Sequence, residues 1–593
     1  MNQRAFLVQL IQSRSLGRRA KTASLSAIAL SVIGIGGLSG ISNQALACGG
    51  FFCQNVPVDQ AGEQIVFRQQ GSTISAMIRI LYTGAAEEFS WVVPVPNTPD
   101  LAVGSDNLFD QLEGVTRPQF FLEQRGQGCF SNFDLAVSVP AAESAADSGG
   151  AQSAGVEVEE RVVGPFDIQI LSSDDPTELA TWLANNDYDL TDRGAQLIEP
   201  YVLDGFKFVG VKLQSGVSSG SIQPLIMTYQ NEKPMVPIRL TAVAAEDDMG
   251  ILIWTVSDAR AVPENYLHVI PNIGRINWFQ GPFNAFASYQ GLVTEAMDEA
   301  GGQGFATDYA GPVSSDITQS LGNADQFEEF LVQNDAVQDN ASFIANVLNI
   351  VQPTQLGLDF LQALLPPPAG FDQFIYFDPI AMQVAFTGEQ LAAARPAFRE
   401  FVVERTIEPL RESLELIPEG AYMTRLFTTL SAEEMTLDPE FVYNSGMPEQ
   451  ATTREAVLDV NCTDAGNTEW QLTLGAGTGR EGEVIAQGDT DVPFNPPPEV
   501  IIQPAMFRSE TTAADALPVT VTSNVINAVT IGDVSTFPVP PVAQTPVVDE
   551  VINVASGGDD DDGFLGSAGV TLLALLASLL GRHVWRRRYK DLL

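Results

Sequence analysis

The sequence predicts an α+β fold: a β-rich N-terminal half, a helical C-terminal half, then a stalk and one transmembrane helix. Three observations predict it. Short runs of alternating apolar and polar residues recur through the first half, the pattern of half-buried strands. Beyond residue 280 the apolar spacing changes to the three-and-four period of helices. Proline and a terminal apolar run then take over, and neither extends a globular core.

Residues 1–47 read as a secretory signal. Arg4, Arg14, Arg18, Arg19 and Lys21 precede an apolar run from Leu25 to Leu38, and Ala45-Leu46-Ala47 supplies the small-residue exit, with cleavage expected between Ala47 and Cys48. The run carries Gly34, Gly36 and Gly37 and is too short for a permanent span. Arg18-Arg19 is followed by Ala20-Lys21 rather than by apolar residues, which argues against twin-arginine export. A lipid on Cys48 is a competing reading, but Ala45 and Leu46 stand in the reverse of the usual lipoprotein order. Lipidation would also leave three cysteines in an oxidising compartment. Cys48, Cys53, Cys129 and Cys462 are therefore disulfide candidates. Four cysteines allow three connectivities. Gly49 and Gly50 let a short loop close Cys48 on Cys53, which would leave Cys129 to pair with Cys462.

Residues 48–480 form the expected folded ectodomain. "EQIVFRQ", a Gly71-Ser72 turn, "TISAMIRILYTG" and "EEFSWVVPVP" read as strands, as do "VEVEERVVG" and "FDIQILSS". Asp175-Pro176-Thr177-Glu178 opens a helix with an N-cap, a proline at its first position and an acidic third residue. "FKFVGVKL", "IQPLIMTYQ", "VPIRLTAVAA" and "GILIWTVS" return to strands, before helical spacing in "FEEFLVQ", "FIANVLNIV" and "FREFVVERTIEPLRESLELI". "AAESAADSGGAQSAG" reads as a surface loop.

Residues 481–562 are rich in Pro, Val and Thr and read as a stalk, with stretches such as "LPVTVTSNVINAVTI" able to dock as edge strands. Residues 563–581 read as a transmembrane anchor, preceded by Asp559 to Asp562. Residues 582–593 form a basic tail with Arg582, Arg586, Arg587, Arg588 and Lys590, so the positive-inside rule puts the tail in the cytoplasm and the large domain outside. A cleaved C-terminal sorting signal is the alternative for this last part.

Composition narrows the chemistry. The 593 residues carry 74 acidic and 30 basic side chains, a net charge of −44. Such a surface repels nucleic acid, so the expected partner is the membrane through the C-terminal helix, with any protein or small-molecule ligand open. Calcium is not expected at Asp187 and Asp189, because Thr191 and Asp192 stand where an EF-hand needs a ligand and a glycine. Gly216-Val217-Ser218-Ser219-Gly220 fits G-x-S-x-G, with Asp258 and His268 downstream in hydrolase order. A nucleophile elbow opens a helix, whereas "SIQPLIMTYQ" reads as a strand. Gly475, Gly477 and Gly479 likewise open no helix, so a dinucleotide site is not expected. His268 and His583 are the two histidines, and His583 lies in the tail. A lone imidazole in the apolar run "YLHVIP" reads as a core residue. No catalytic, metal or cofactor-binding residue is expected.

"ACGGFFC", "EEFSWVVPVPNTPDLAVGSDNLF", "DEAGGQGFATDYAGP" and "YMTRLFTTLSAEEMTLDPEFVYN" resemble the bacterial exported family catalogued as domain of unknown function 2330, over about residues 47 to 460. The resemblance implies an envelope location and carries no activity across. Within it, Trp91, Pro94 and Pro96 read as a buried strand ending, Gly301-Gly302 as a helix stop, and Ser431 with Glu434 as a capping box. The functional expectation is a membrane-anchored extracytoplasmic protein of the cell envelope, a non-catalytic binding or scaffolding domain. An envelope hydrolase using Ser218 or a carboxylate pair is the alternative.

Overall fold

The computed structural model describes residues 59–521 apart from 84–89, 128, 130–156, 187, 189–190, 215–221, 244, 352–354, 465, 490, 494 and 515–517. The signal segment, Cys48, Cys53, Ser218, the 563–581 anchor and the basic tail lie outside the described residues. The fold is mixed α+β.

A ten-stranded sheet organises it. In spatial order its strands are Val519–Val521, Met506–Thr511, Leu267–Pro271, Gly304–Pro312, Tyr422–Leu430, Ala245–Ser257, Asp59–Gln70, Thr73–Thr83, Leu225–Gln230 and Asp100–Val103. Asp59–Gln70 runs parallel to Ala245–Ser257 and turns back through Gly71, whose φ of 61° suits the tight hairpin, into Thr73–Thr83.

Alternation along these strands builds two different faces. Ile65, Phe67, Ile74, Ala76 and Ile78 pack against a four-stranded sheet that includes Ser90–Val95, Phe166–Ser172 and Lys207–Leu213. Val66, Met77, Trp254 and Val256 point the other way, onto Leu108, Phe109 and Leu112 of helix Asp106–Thr116. The outer side of the smaller sheet is covered by helices Pro176–Asn185 and Asp192–Leu203 through Leu179, Trp182, Ile198 and Tyr201. Asp175 caps the first of these, its carboxylate accepting from the Thr177 and Glu178 amides, with Pro176 at the first position as its sequence implies.

The helical part is an insertion rather than a C-terminal half. Gly304–Pro312 and Tyr422–Leu430 are antiparallel neighbours, and helices from Ser315 to Leu414 connect them. These helices bury their own core, with Phe343, Leu348, Leu361, Tyr376, Phe398 and Leu410 among its members. Local periodicity identifies the helices but says nothing about which strands flank them in space.

The folded part also runs past residue 480. Val484–Gly488 joins a second four-stranded sheet with Thr468–Leu474, Thr453–Cys462 and Gln119–Gly126, and helix Gly281–Glu299 packs into the same core. Met506–Thr511 and Val519–Val521 close one edge of the large sheet. Prolines punctuate this region without excluding short edge strands.

Two local expectations are corrected. In "VPIRLTAVAA", Ile238–Thr241 forms a helical turn, because the Asp438 carboxylate binds both the Arg239 amide (3.0 Å) and its guanidinium. Ser431 and Glu434 make half a capping box, with Glu434 accepting from the Ser431 amide at 2.8 Å, but a turn follows instead of a helix. The Ser431 hydroxyl accepts from the Asp248 amide instead. The Gly301-Gly302 stop holds: the Gly302 amide donates to Met297 and the Gly301 amide to Asp298, both glycines at positive φ.

Candidate functional site

Three clusters of buried polar residues and one exposed apolar stripe stand out from this framework. The first cluster joins two of the resemblance motifs. Arg425, on Tyr422–Leu430, places Nε 3.2 Å from Asp308 Oδ2, on Gly304–Pro312. The Tyr289 hydroxyl donates to Asp308 Oδ1 at 2.6 Å, and Arg454 donates to the Asp308 carbonyl at 2.9 Å. Burial pushes the Asp308 carboxyl up from its ordinary range, with the Arg425 charge opposing. Tyr289 reaches this carboxylate from helix Gly281–Glu299 and Arg425 from the neighbouring strand, which makes the cluster a tie between sheet and helix.

The second cluster fixes the loop around Asp438. Its carboxylate accepts from the Tyr201 hydroxyl at 2.8 Å and from Arg239 Nε at 2.8 Å, and the guanidinium lies over the Tyr201 ring. Burial opposes the Arg239 charge, yet the Asp438 carboxylate holds it above its ordinary value.

The third surrounds His268, which is 2% exposed. Its Nε2 lies 3.2 Å from the Thr307 hydroxyl, and its Nδ1 lies 3.6 Å from Glu510 Oε2, too far for a hydrogen bond. Burial lowers the imidazole below its ordinary value, so at neutral pH it is uncharged. Arg260 nearby is pushed down to about 10 by burial. The sequence-derived hydrolase set is not brought together among the described residues: His268 is enclosed, Asp258 is exposed on a turn, and Ser218 lies outside them. Gly477 and Gly479 sit at positive φ between Thr468–Leu474 and Val484–Gly488, in a strand connection rather than a phosphate loop.

Cys129 and Cys462 form a disulfide, with Cα atoms 5.0 Å apart. Cys129 follows Gln119–Gly126 and Cys462 ends Thr453–Cys462, two strands that pair in parallel, so the bridge closes the open end of that pairing. Among the described residues, no group of three or more His, Cys, Asp or Glu side chains could hold a metal ion, and no helix is long and apolar enough to cross a membrane.

The exposed stripe is the feature sequence reasoning missed. Phe374 and Phe377 lie on the 3-10 turn Gln373–Phe377, and Ile380 and Val384 on helix Pro379–Ala385. A spacing of three on the tight turn and four on the helix keeps them on the outer side. Phe374 is 66% exposed, Ile380 73% and Val384 75%, with Phe371 at 42% beside them. Ile375, Tyr376 and Met382 face inward, and the Tyr376 hydroxyl donates to the Leu365 carbonyl at 2.6 Å. The two acidic residues within the stripe are engaged as caps: Asp372 accepts from the Phe374 amide and Asp378 from the Ile380 and Ala381 amides. In "FDQFIYFDPIAMQVAF" apolar residues fall on both sides of the turn and helix, so the sequence cannot separate the buried side from the exposed one.

A family model described as an uncharacterized protein conserved in bacteria (DUF2330) matches residues 42–339, and the chain belongs to that family. The match covers Asp308 but ends before Arg425 and the apolar stripe. No curated protein and no solved structure matches the chain.

Proposed function

We propose that this member of the DUF2330 family is an exported, membrane-tethered protein whose ectodomain binds a partner without catalysing a reaction on it. The observation that carries the binding reading is the apolar stripe from Phe371 to Val384, because large exposed apolar patches on folded domains mark contact surfaces. The Cys129–Cys462 disulfide supports an extracytoplasmic location, since such bonds persist in oxidising compartments. The N-terminal signal, the 563–581 apolar segment and the basic tail supply the tether and its orientation. The enclosure of His268 against Thr307 and Glu510 supports a non-catalytic role, because a general base must reach its substrate.

Protease shaving of intact spheroplasts, with tags at both ends of the mature chain, tests the topology. The expected result is loss of the N-terminal tag and survival of the C-terminal one. Digestion of the C-terminal tag from outside would refute it, and its absence from the mature protein would favour a cleaved sorting signal.

A further inference from the structure

We propose that the Phe371–Val384 stripe seats in the interface of a zwitterionic lipid bilayer, giving the ectodomain a second membrane contact besides its tether. The inference rests on the membrane-tethered reading above and names the partner of the same surface.

The side chains themselves suit this occupant. Phe374, Phe377, Ile380 and Val384 offer apolar bulk, and the carboxylates of Asp372 and Asp378 are bound to backbone amides at the turn and helix starts. An amphipathic surface of this kind gains free energy by burying its apolar side at the boundary between headgroups and acyl chains.

Charge selects among the possible occupants. The sequence carries no lysine or arginine between Arg275 and Arg395, so the helices bearing the stripe offer no cation to anionic headgroups. A second copy of the chain would bring another strongly acidic surface to the contact. A neutral, zwitterionic surface meets neither penalty.

The fold supplies the geometry. The described chain ends on Val519–Val521 at one edge of the ten-stranded sheet, and the sequence continues from there toward the 563–581 segment. The inserted helices reach the opposite edge, where the Ser105 amide, just after Asp100–Val103, donates to the Ser413 hydroxyl at 2.8 Å. Ten strands separate these edges by roughly 43 Å. The tether raises the local concentration of lipid at the stripe.

The test is flotation of the mature chain ended after Asp562 with phosphatidylcholine vesicles. That chain keeps every described element and all five buried cores, and melting curves check that each variant is folded. Since it lacks residues 563–593, its result is independent of whether the anchor reading holds. The expected result is flotation that persists at high salt, reduced about tenfold by Phe374→Asp with Ile380→Asp. Val332→Asp, at an exposed position on helix Ala324–Asn334, is expected to leave flotation unchanged. The proposal is overturned if the chain fails to float, if the double variant floats as well as the parent, or if flotation needs anionic lipid. Sedimentation showing a dimer that the double variant abolishes would instead assign the stripe to a second copy.

Discussion

Arg425 and Asp308 meet across neighbouring antiparallel strands, with guanidinium and carboxylate 3.2 Å apart and both side chains withdrawn from solvent. The pair is fastened on three sides. Arg425 Nη1 reaches the Glu113 carbonyl and the Thr116 hydroxyl, each at 3.3 Å, while Tyr289 holds the carboxylate from helix Gly281–Glu299. The junction ties helices Asp106–Thr116 and Gly281–Glu299 to the centre of the large sheet.

Breaking this pair from one side is expected to be costly. Arg425→Met leaves a buried carboxylate without its cation and should lower unfolding free energy by about 3–5 kcal/mol. Adding Asp308→Leu removes that orphan charge, so the double variant should be more stable than Arg425→Met alone. Urea unfolding of the three proteins checks the order. An Arg425→Met protein as stable as the parent would deny the pair its structural role.

The Cys129–Cys462 bridge links residues 333 positions apart. Constraining so long a loop in the unfolded chain is worth at most about 6 kcal/mol on the loop-entropy account. Cys129→Ser with Cys462→Ser should lower stability by that order, and reduction of the parent should reproduce the loss. Non-reducing peptide mapping should recover a Cys129–Cys462 peptide, and a Cys48–Cys129 peptide would contradict the fold.

Glu63 predicts a pH dependence. It lies on Asp59–Gln70 opposite Ile80 and Ile251, and burial pushes its carboxyl from 4.5 up to about 7, with a Gln60 hydrogen bond opposing. The folded protein keeps a proton that the unfolded chain releases above about pH 4.5. Its contribution is therefore fully present below that pH and is lost as pH rises through 7, by about 3 kcal/mol in total. Glu63→Gln should match the parent at low pH, be more stable at pH 8, and show a flatter profile between. Parallel pH slopes for the two proteins would contradict this.

Much of the architecture is legible in the sequence where local chemistry dominates. The Gly71 hairpin, the Asp175-Pro176 helix start and the Gly301-Gly302 stop depend on backbone conformation and nearby donors, which neighbouring residues determine. Long-range relationships are not legible in this way. Asp308 and Arg425 are joined only because helices intervene between adjacent strands, and no spacing rule records that. Ile238–Thr241 reads as a strand by composition, yet Asp438, far along the chain, holds it as a helical turn. The stripe stayed hidden because Phe374 and Tyr376 look alike in sequence, while one is exposed and the other lies in the helical core.

The central claim is that the Phe371–Val384 face is a contact surface of an exported domain, and photocrosslinking in intact cells tests it most directly. A benzophenone amino acid replaces Phe374 in the full chain, and in a second protein it replaces Val332. The account predicts lipid adducts, detected by mass, at position 374 and none at position 332. Equal labelling at both positions, or only intrachain products at 374, would contradict it.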